Sequence, residues 1–219
     1  MTRHILENNC LAVLATAALT LSLSSLSSLA ADQPKYLVKP VAELKLKQLP
    51  PGPLYWRIEN FPTLTQAKAA VTPYRWSADA VSYEGSPSLT AEVAGKVWLF
   101  TLGAKGGATP GGSKVAEIGP IPSIVAPEYL LRINHGSGPP GSKTPVHFHP
   151  GSEAFYVVDG RLGQRTAHGV SYADAGQTMN GHAAETAMEV FNDGAGELNA
   201  LIMFVVDATK PFSVPAKLE

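Results

Sequence analysis

The fold turns on residues 141–160, GSKTPVHFHPGSEAFYVVDG. His147 and His149 flank Phe148, and on a strand alternate side chains share a face. The two imidazoles therefore point together while Phe148 points away. Pro150-Gly151 turns the chain, and Glu153 opens a following strand that can bring its carboxylate beside both rings. Two imidazoles and one carboxylate on one face leave coordination positions open, as in a non-haem Fe(II)-type site; Mn, Ni, Cu or Zn would accept the same ligands. Asp159-Gly160, between Tyr156-Val157-Val158 and Arg161-Leu162, reads as a hairpin turn, because both positions tolerate positive φ.

The spacing Gly141-x5-His147-x-His149-x3-Glu153-x6-Gly160 resembles the first signature motif of the cupin superfamily at every fixed position. The resemblance spans roughly Glu128 to Val206 and leaves the first half of the chain outside it. It implies an all-β fold, a small antiparallel β-barrel of jelly-roll type, whose interior holds one divalent metal ion through His147, His149 and Glu153. The second motif of that family departs from its pattern here. It should carry a turn proline, a fourth ligand histidine, and an asparagine four residues after it. Counting back from Asn192 lands on Met188, whose thioether suits only a soft ion such as Cu(I), and counting on from Gly176 lands on Ala187. Glu189 is one residue out of phase. Either His182, six residues before Met188, supplies the fourth ligand from a rebuilt turn, or the site has three protein ligands.

Outward from this stretch, short apolar runs alternate with Gly/Pro turns, the spacing of a sandwich or barrel. Runs at Lys96–Leu102, Val115–Ile121, Tyr129–His135, Leu162–Ala167, Val170–Ala173 and Ala187–Phe191 read as strands. Leu201–Val206 is apolar at every position and reads as a strand buried on both faces. On Tyr129–His135 the apolar Leu131 and Ile133 oppose Arg132 and Asn134, so only one of these sets can line a cavity. Gly103–Gly112, with five glycines, reads as a mobile loop. Thr63-Leu64-Thr65-Gln66 offers a capping box for one short helix ending near Pro73. From Asp32 to Pro53 prolines recur, which marks an irregular arm with at most one edge strand, at Leu44 and Leu46. An exposed edge of this kind can pair with a second copy, and homodimers are the common closed assembly. The domain plan is thus a leader at 1–30, an N-terminal arm and extension at 31–95, the barrel at 96–210 and a tail at 211–219.

The leader rests on Arg3 and His4 before an uncharged run that ends in Ser28-Leu29-Ala30, a pattern for cleavage before Ala31. The protein is then expected outside the cytoplasm, periplasmic or secreted and free of the membrane. Cleavage would remove Cys10, the only cysteine, so imidazole and oxygen ligands are all a metal could use. Charged residues are 16% of the chain, below the usual ~25%, and net charge is −1. Such a chain has no basic field for phosphates, which excludes general nucleic-acid binding. Ser152 lacks the second glycine of a nucleophile elbow. Two functions remain: a metal-dependent enzyme acting on a small oxygen-bearing molecule (oxygenase, isomerase or decarboxylase), or a non-catalytic barrel that binds a small ligand or metal. An inward acid, base or arginine beside the donors favours the enzyme, and a wall of Phe155, Val157 and Met188 alone favours the binder.

Overall fold

A computed structural model describes Met1 and residues 34–77 and 82–218; the leader expected at 1–30, with Cys10, lies outside the described residues. Residues 34–218 belong to one compact unit. Along the chain run β1 (Leu37–Leu46), β2 (Tyr55–Phe61), α1 (Leu64–Ala69), β3 (Arg75–Ser77), β4 (Ser82–Glu84), β5 (Ser88–Val93), β6 (Lys96–Gly103) and β7 (Ser113–Ile118). The second half holds β8 (Tyr129–Gly138), β9 (His147–Phe148), β10 (Gly151–Asp159), β11 (Arg161–Thr166) and β12 (Gly169–Asp174). It ends with β13 (Thr178–Asn180), β14 (Met188–Asn192), β15 (Leu198–Asp207) and β16 (Val214–Pro215). No helix among the described residues is long and apolar enough to cross a membrane.

Two five-stranded antiparallel sheets make the jelly roll: a central one in the order β1-β8-β15-β10-β13 and a facing one in the order β12-β11-β14-β9-β16. Between them lies an apolar core, with Phe155, Val157, Leu198, Ala200, Ile202 and Phe204 from the central sheet and Leu162, Ala173 and Val190 from the facing one. The other face of the central sheet is covered too. Leu131, Ile133, Leu201, Met203 and Val205 pack there against Trp56, Ile58, Trp98, Phe100 and Leu102. The strict two-residue alternation on β15 sends even positions into one core and odd positions into the other, which is why Leu201–Val206 is apolar throughout.

The second core is closed by a third sheet, in the order β5-β6-β2-β7, in which the run Lys96–Leu102 lies as β6. Its apolar residues alternate as well. Trp98, Phe100 and Leu102 face the central sheet, while Val97 and Leu99 pack with Phe61 and Ala67 under α1. A strand apolar on both sides needs a cover on each; the central sheet supplies one, and Phe61 with α1 supplies the other. The capping box forms as expected, with the Gln66 amide donating to Thr63 Oγ1 at 3.2 Å.

Two turns also differ from expectation. Asp159-Gly160 is not a hairpin: β10 pairs with β15 and β13, whereas β11 pairs with β12 and β14. The pair is a corner where the chain leaves one sheet for the other. Gly160 is needed there, with φ +82° and Glu197 O only 2.7 Å from where a Cβ would sit. The glycine-rich loop is tied down rather than loose. Buried Glu59 accepts from the Thr109 amide and hydroxyl at 2.7 and 2.6 Å, and Arg57 donates to Gly106 O at 3.1 Å. Burial pushes the Glu59 carboxyl up, but the Thr109 and Arg57 bonds outweigh it and hold the group below its ordinary range.

Candidate metal centre

The three motif residues meet because the chain changes sheet between them. His147 belongs to β9 in the facing sheet, Glu153 to β10 in the central sheet, and His149 sits at the crossing. All three border one cavity of about 460 Å³ between the sheets. The two imidazoles stand edge to face, 4.9 Å between centroids, and His149 Nε2 is 4.0 Å from Glu153 Oε2.

The tautomers follow from the neighbours. His147 Nδ1 lies 2.7 Å from Pro145 O, and His149 Nδ1 lies 2.6 Å from Phe212 O. A carbonyl only accepts, so each Nδ1 carries the proton and each Nε2 keeps a lone pair. Backbone carbonyls of this kind commonly orient metal-binding histidines. Phe212 also packs its ring on His149 at 4.7 Å, and β16, just after it, pairs with β9 at Val214↔Phe148 and Pro215↔His147. The C-terminal segment is thus a wall of the site rather than a free tail.

Burial sets the charge state. It pulls the His149 imidazole down to about 4, with smaller pushes from His147 and Arg132, against the pull of the Phe212 carbonyl. Burial lifts the Glu153 carboxyl to about 8, although the Gln164 amide, donating at 2.5 Å, opposes this. At neutral pH the pair is therefore an uncharged imidazole beside a carboxylic acid, not an ion pair.

This arrangement predicts a pH-dependent stability for the metal-free protein. The unfolded chain releases the Glu153 proton near 4.5 and the folded protein near 8, so stability falls across that interval as pH rises. His149 acts oppositely between about 4 and 6.5, where the unfolded chain holds more protons. Only the Glu153 effect remains from pH 6.5 to 8, roughly a few kcal/mol. Thermal melts should show a falling midpoint there, and Glu153→Gln should flatten it. An unchanged slope in that variant would mean that another group titrates.

The donor chemistry fits a first-row divalent metal: two neutral imidazoles with free Nε2 atoms, and a buried carboxyl whose charge a cation would balance. Among the described residues no three His, Cys, Asp or Glu side chains stand close enough to close around an ion. His147, His149 and Glu153 are brought to one cavity without forming a closed cage. His182 is not among the cavity residues. It follows Gly181, whose amide donates to Glu153 O at 3.1 Å; partial burial, then nearby His168, lower its pKa. Met188 pairs with His147 in register and is 2% exposed, with its sulfur accepting from Gln164 Nε2 at 3.2 Å. Glu189 is engaged by Lys143 and Arg165 at 2.9 and 2.7 Å.

Of the two sets on β8, Arg132 and Asn134 face the cavity, and Leu131 and Ile133 face the third sheet's core. His135 bonds Asn199 Oδ1 at 2.9 Å. Tyr36 also borders the cavity, its hydroxyl against Gly136, so no larger residue fits at 136 without displacing the ring. Tyr36 and Phe212 carry no local signal, since each reaches the site from an end of the chain.

No family model matches the sequence, and no curated protein matches it. Solved structures do. A DMSP lyase is similar at 20% identity over 40% of this chain and 44% of its own, with a TM-score of 0.35. An oxalate oxidase in complex with the substrate analogue glycolate is similar at 22% identity over 38% and 45%, with a TM-score of 0.33. A cupin superfamily protein from Desulfitobacterium hafniense DCB-2 is similar at 13% identity over 35% and 68%, with a TM-score of 0.32. The chain spans less than half the length of the first two. The chain's own features decide the matter: two facing antiparallel sheets, with the 141–160 motif crossing between them, give the second half of this protein a cupin fold.

Proposed function

We propose that this protein is a metal-dependent enzyme acting on a small oxygen-bearing molecule, with one divalent ion held by His147 Nε2, His149 Nε2 and a Glu153 carboxylate oxygen. The observation that carries the reading is the inward Arg132, which shares one cavity with these three donors. A wall of hydrocarbon alone would have favoured a binder; Val157 and Met188 lie outside the cavity lining, and a cation lies within it. When bound, the metal would supply Lewis-acid polarisation of a substrate oxygen. The chain's own groups do the rest. The Pro145 and Phe212 carbonyls keep both Nε2 atoms aimed, Gln164 holds one Glu153 oxygen, and Phe204 and Phe155 of the central sheet and Val190 of the facing sheet line the cavity with hydrocarbon.

Elemental analysis of the protein, purified without added metal or a chelating tag, tests this reading. About one equivalent of a first-row metal is the expected content. Oxygen uptake or product formation across phenolic, sugar and keto-acid compounds should then depend on that metal. Absence of metal after growth in supplemented medium would favour the second reading, a barrel that binds a small molecule without turning it over. Metal content of His182→Ala, compared with Met188→Ala, tests for a fourth ligand. We also infer export; an intact mass beginning at Ala31 supports it, and a retained leader on soluble protein would refute it.

A further inference from the structure

Polar groups besides the histidine-carboxylate cluster line the cavity. Cross-strand partners on the central sheet lay out the floor in rows. Glu153, Phe204, Arg132 and Glu43 follow one another across β10, β15, β8 and β1. Phe155, Ile202, Asn134 and Pro40 form the next row. Strands lie ~4.8 Å apart, so Arg132 starts about 10 Å from Glu153, with Phe204 between them.

Three further polar groups line the same cavity: Arg132 and Asn134 from β8, and Tyr36, whose hydroxyl lies against Gly136. Arg132 has its Nε engaged by Glu43 Oε1 at 2.6 Å, and its guanidinium lies 3.9 Å over the Phe212 ring. Those contacts fix the plane and leave the two terminal nitrogens for a ligand. Asn134 is 1% exposed and Tyr36 9% exposed, yet Asn134 Oδ1 and the Tyr36 hydroxyl have no hydrogen-bond partner. A buried orphan polar atom costs about 1–3 kcal/mol, and native proteins rarely keep two in one cavity unless something completes them.

We propose that Arg132, Asn134 and Tyr36 form a subsite for the carboxylate of a small organic acid with an apolar body; the proposal rests on the metal-centre reading only for where the acid's other end lies. The guanidinium fork matches a carboxylate in charge and geometry. Tyr36 can donate to the same group. Asn134 offers its amide to an oxygen or, turned over, accepts from a neighbouring hydroxyl. One guanidinium partly neutralised by Glu43 balances a monoanion better than a phosphate dianion. The body would lie along Phe155, Ile202, Phe204 and Phe212, in a volume within the ~300–1,000 Å³ usual for small-ligand sites.

The test is calorimetric titration of the full-length protein, metal-free and metal-loaded, with isobutyrate, benzoate, phenylacetate and mandelate. Benzamide and inorganic phosphate serve as controls. At least one carboxylate should bind at least about tenfold tighter than benzamide, and phosphate should not compete. Arg132→Met should lose about tenfold or more in carboxylate affinity, with benzamide unaffected. Tyr36→Phe should lose a smaller factor at an unchanged melting midpoint. Glu43→Gln, which breaks the same ion pair but keeps the guanidinium, should bind the carboxylate as well as the parent or better; a purely structural Arg132 would make these two variants equally poor. The proposal is overturned if no carboxylate binds below about 10 mM, if benzamide binds equally, or if both Arg132→Met and Tyr36→Phe are silent. One equivalent of metal without carboxylate binding would sink the subsite and spare the metal centre. Carboxylate binding to a protein that never takes up metal would do the reverse.

Discussion

Replacing His147 and His149 together by alanine should take the bound metal from about one equivalent to below about a tenth. Three donors share the ion in the proposed centre, and the variant leaves only the Glu153 carboxyl, which burial keeps protonated to about pH 8. A lone acid of that kind offers no usable site at neutral pH. The single variants should fall between, with His149→Ala the more severe. His149 is the more buried of the pair, and its loss also strips a ring from the cluster with Phe204 and Phe212. Inductively coupled plasma analysis of the three proteins, with far-UV circular dichroism as a folding check, decides the matter. Full metal content in the double variant would place the ion elsewhere in the chain.

The second large effect should come from outside the motif. Ending the chain at Pro211 removes the Phe212 carbonyl that holds His149 Nδ1, the ring that covers Arg132, and the pairing of β16 with β9. Loss of a partner that orients a ligand histidine typically costs 10–100-fold in metal affinity, and the deletion should fall at the upper end of that range. Phe212→Ala separates the causes, because it keeps the carbonyl and loses the ring. Its metal affinity should stay within about threefold of the parent while its stability drops by about 1–2 kcal/mol. Competition against a fluorescent zinc chelator reads the affinity, and urea melts read the stability. Equal metal affinity in the deletion and the parent would show that the C-terminal strap, residues 212–215, has no hold on His149.

The contrast between motif and strap marks the limit of what local sequence encodes. The His147, His149 and Glu153 cluster, the capped helix and the doubly buried Leu201–Val206 were legible because each depends on neighbours within a few residues. The partner of a strand is not written that way. Asp159-Gly160 has hairpin composition, yet the corner it makes depends on Glu197 and Leu198 pressing on Gly160. The arm at 31–95 was the least legible part. The run Leu54–Phe61 reads as a strand and forms β2, but its partner β6 lies some forty residues later in the chain. Tyr36 reached the cavity by pairing of β1 with β8, about a hundred residues away in the chain. The Arg132 and Asn134 face was half legible: alternation separated it from Leu131 and Ile133, but only the cores on either side say which set turns inward.

The central sheet, greasy on both faces, also bears on how this protein can be cut or recombined. A fragment beginning near residue 128 would retain every donor of the proposed metal centre. It would also expose Leu131, Ile133, Leu201, Met203 and Val205 to water, a continuous apolar face of the kind that drives aggregation. The cupin half is therefore not a portable cassette. Any graft or minimal version must carry residues 54–118 with it, and drift in that outer sheet is constrained by a cavity it never touches.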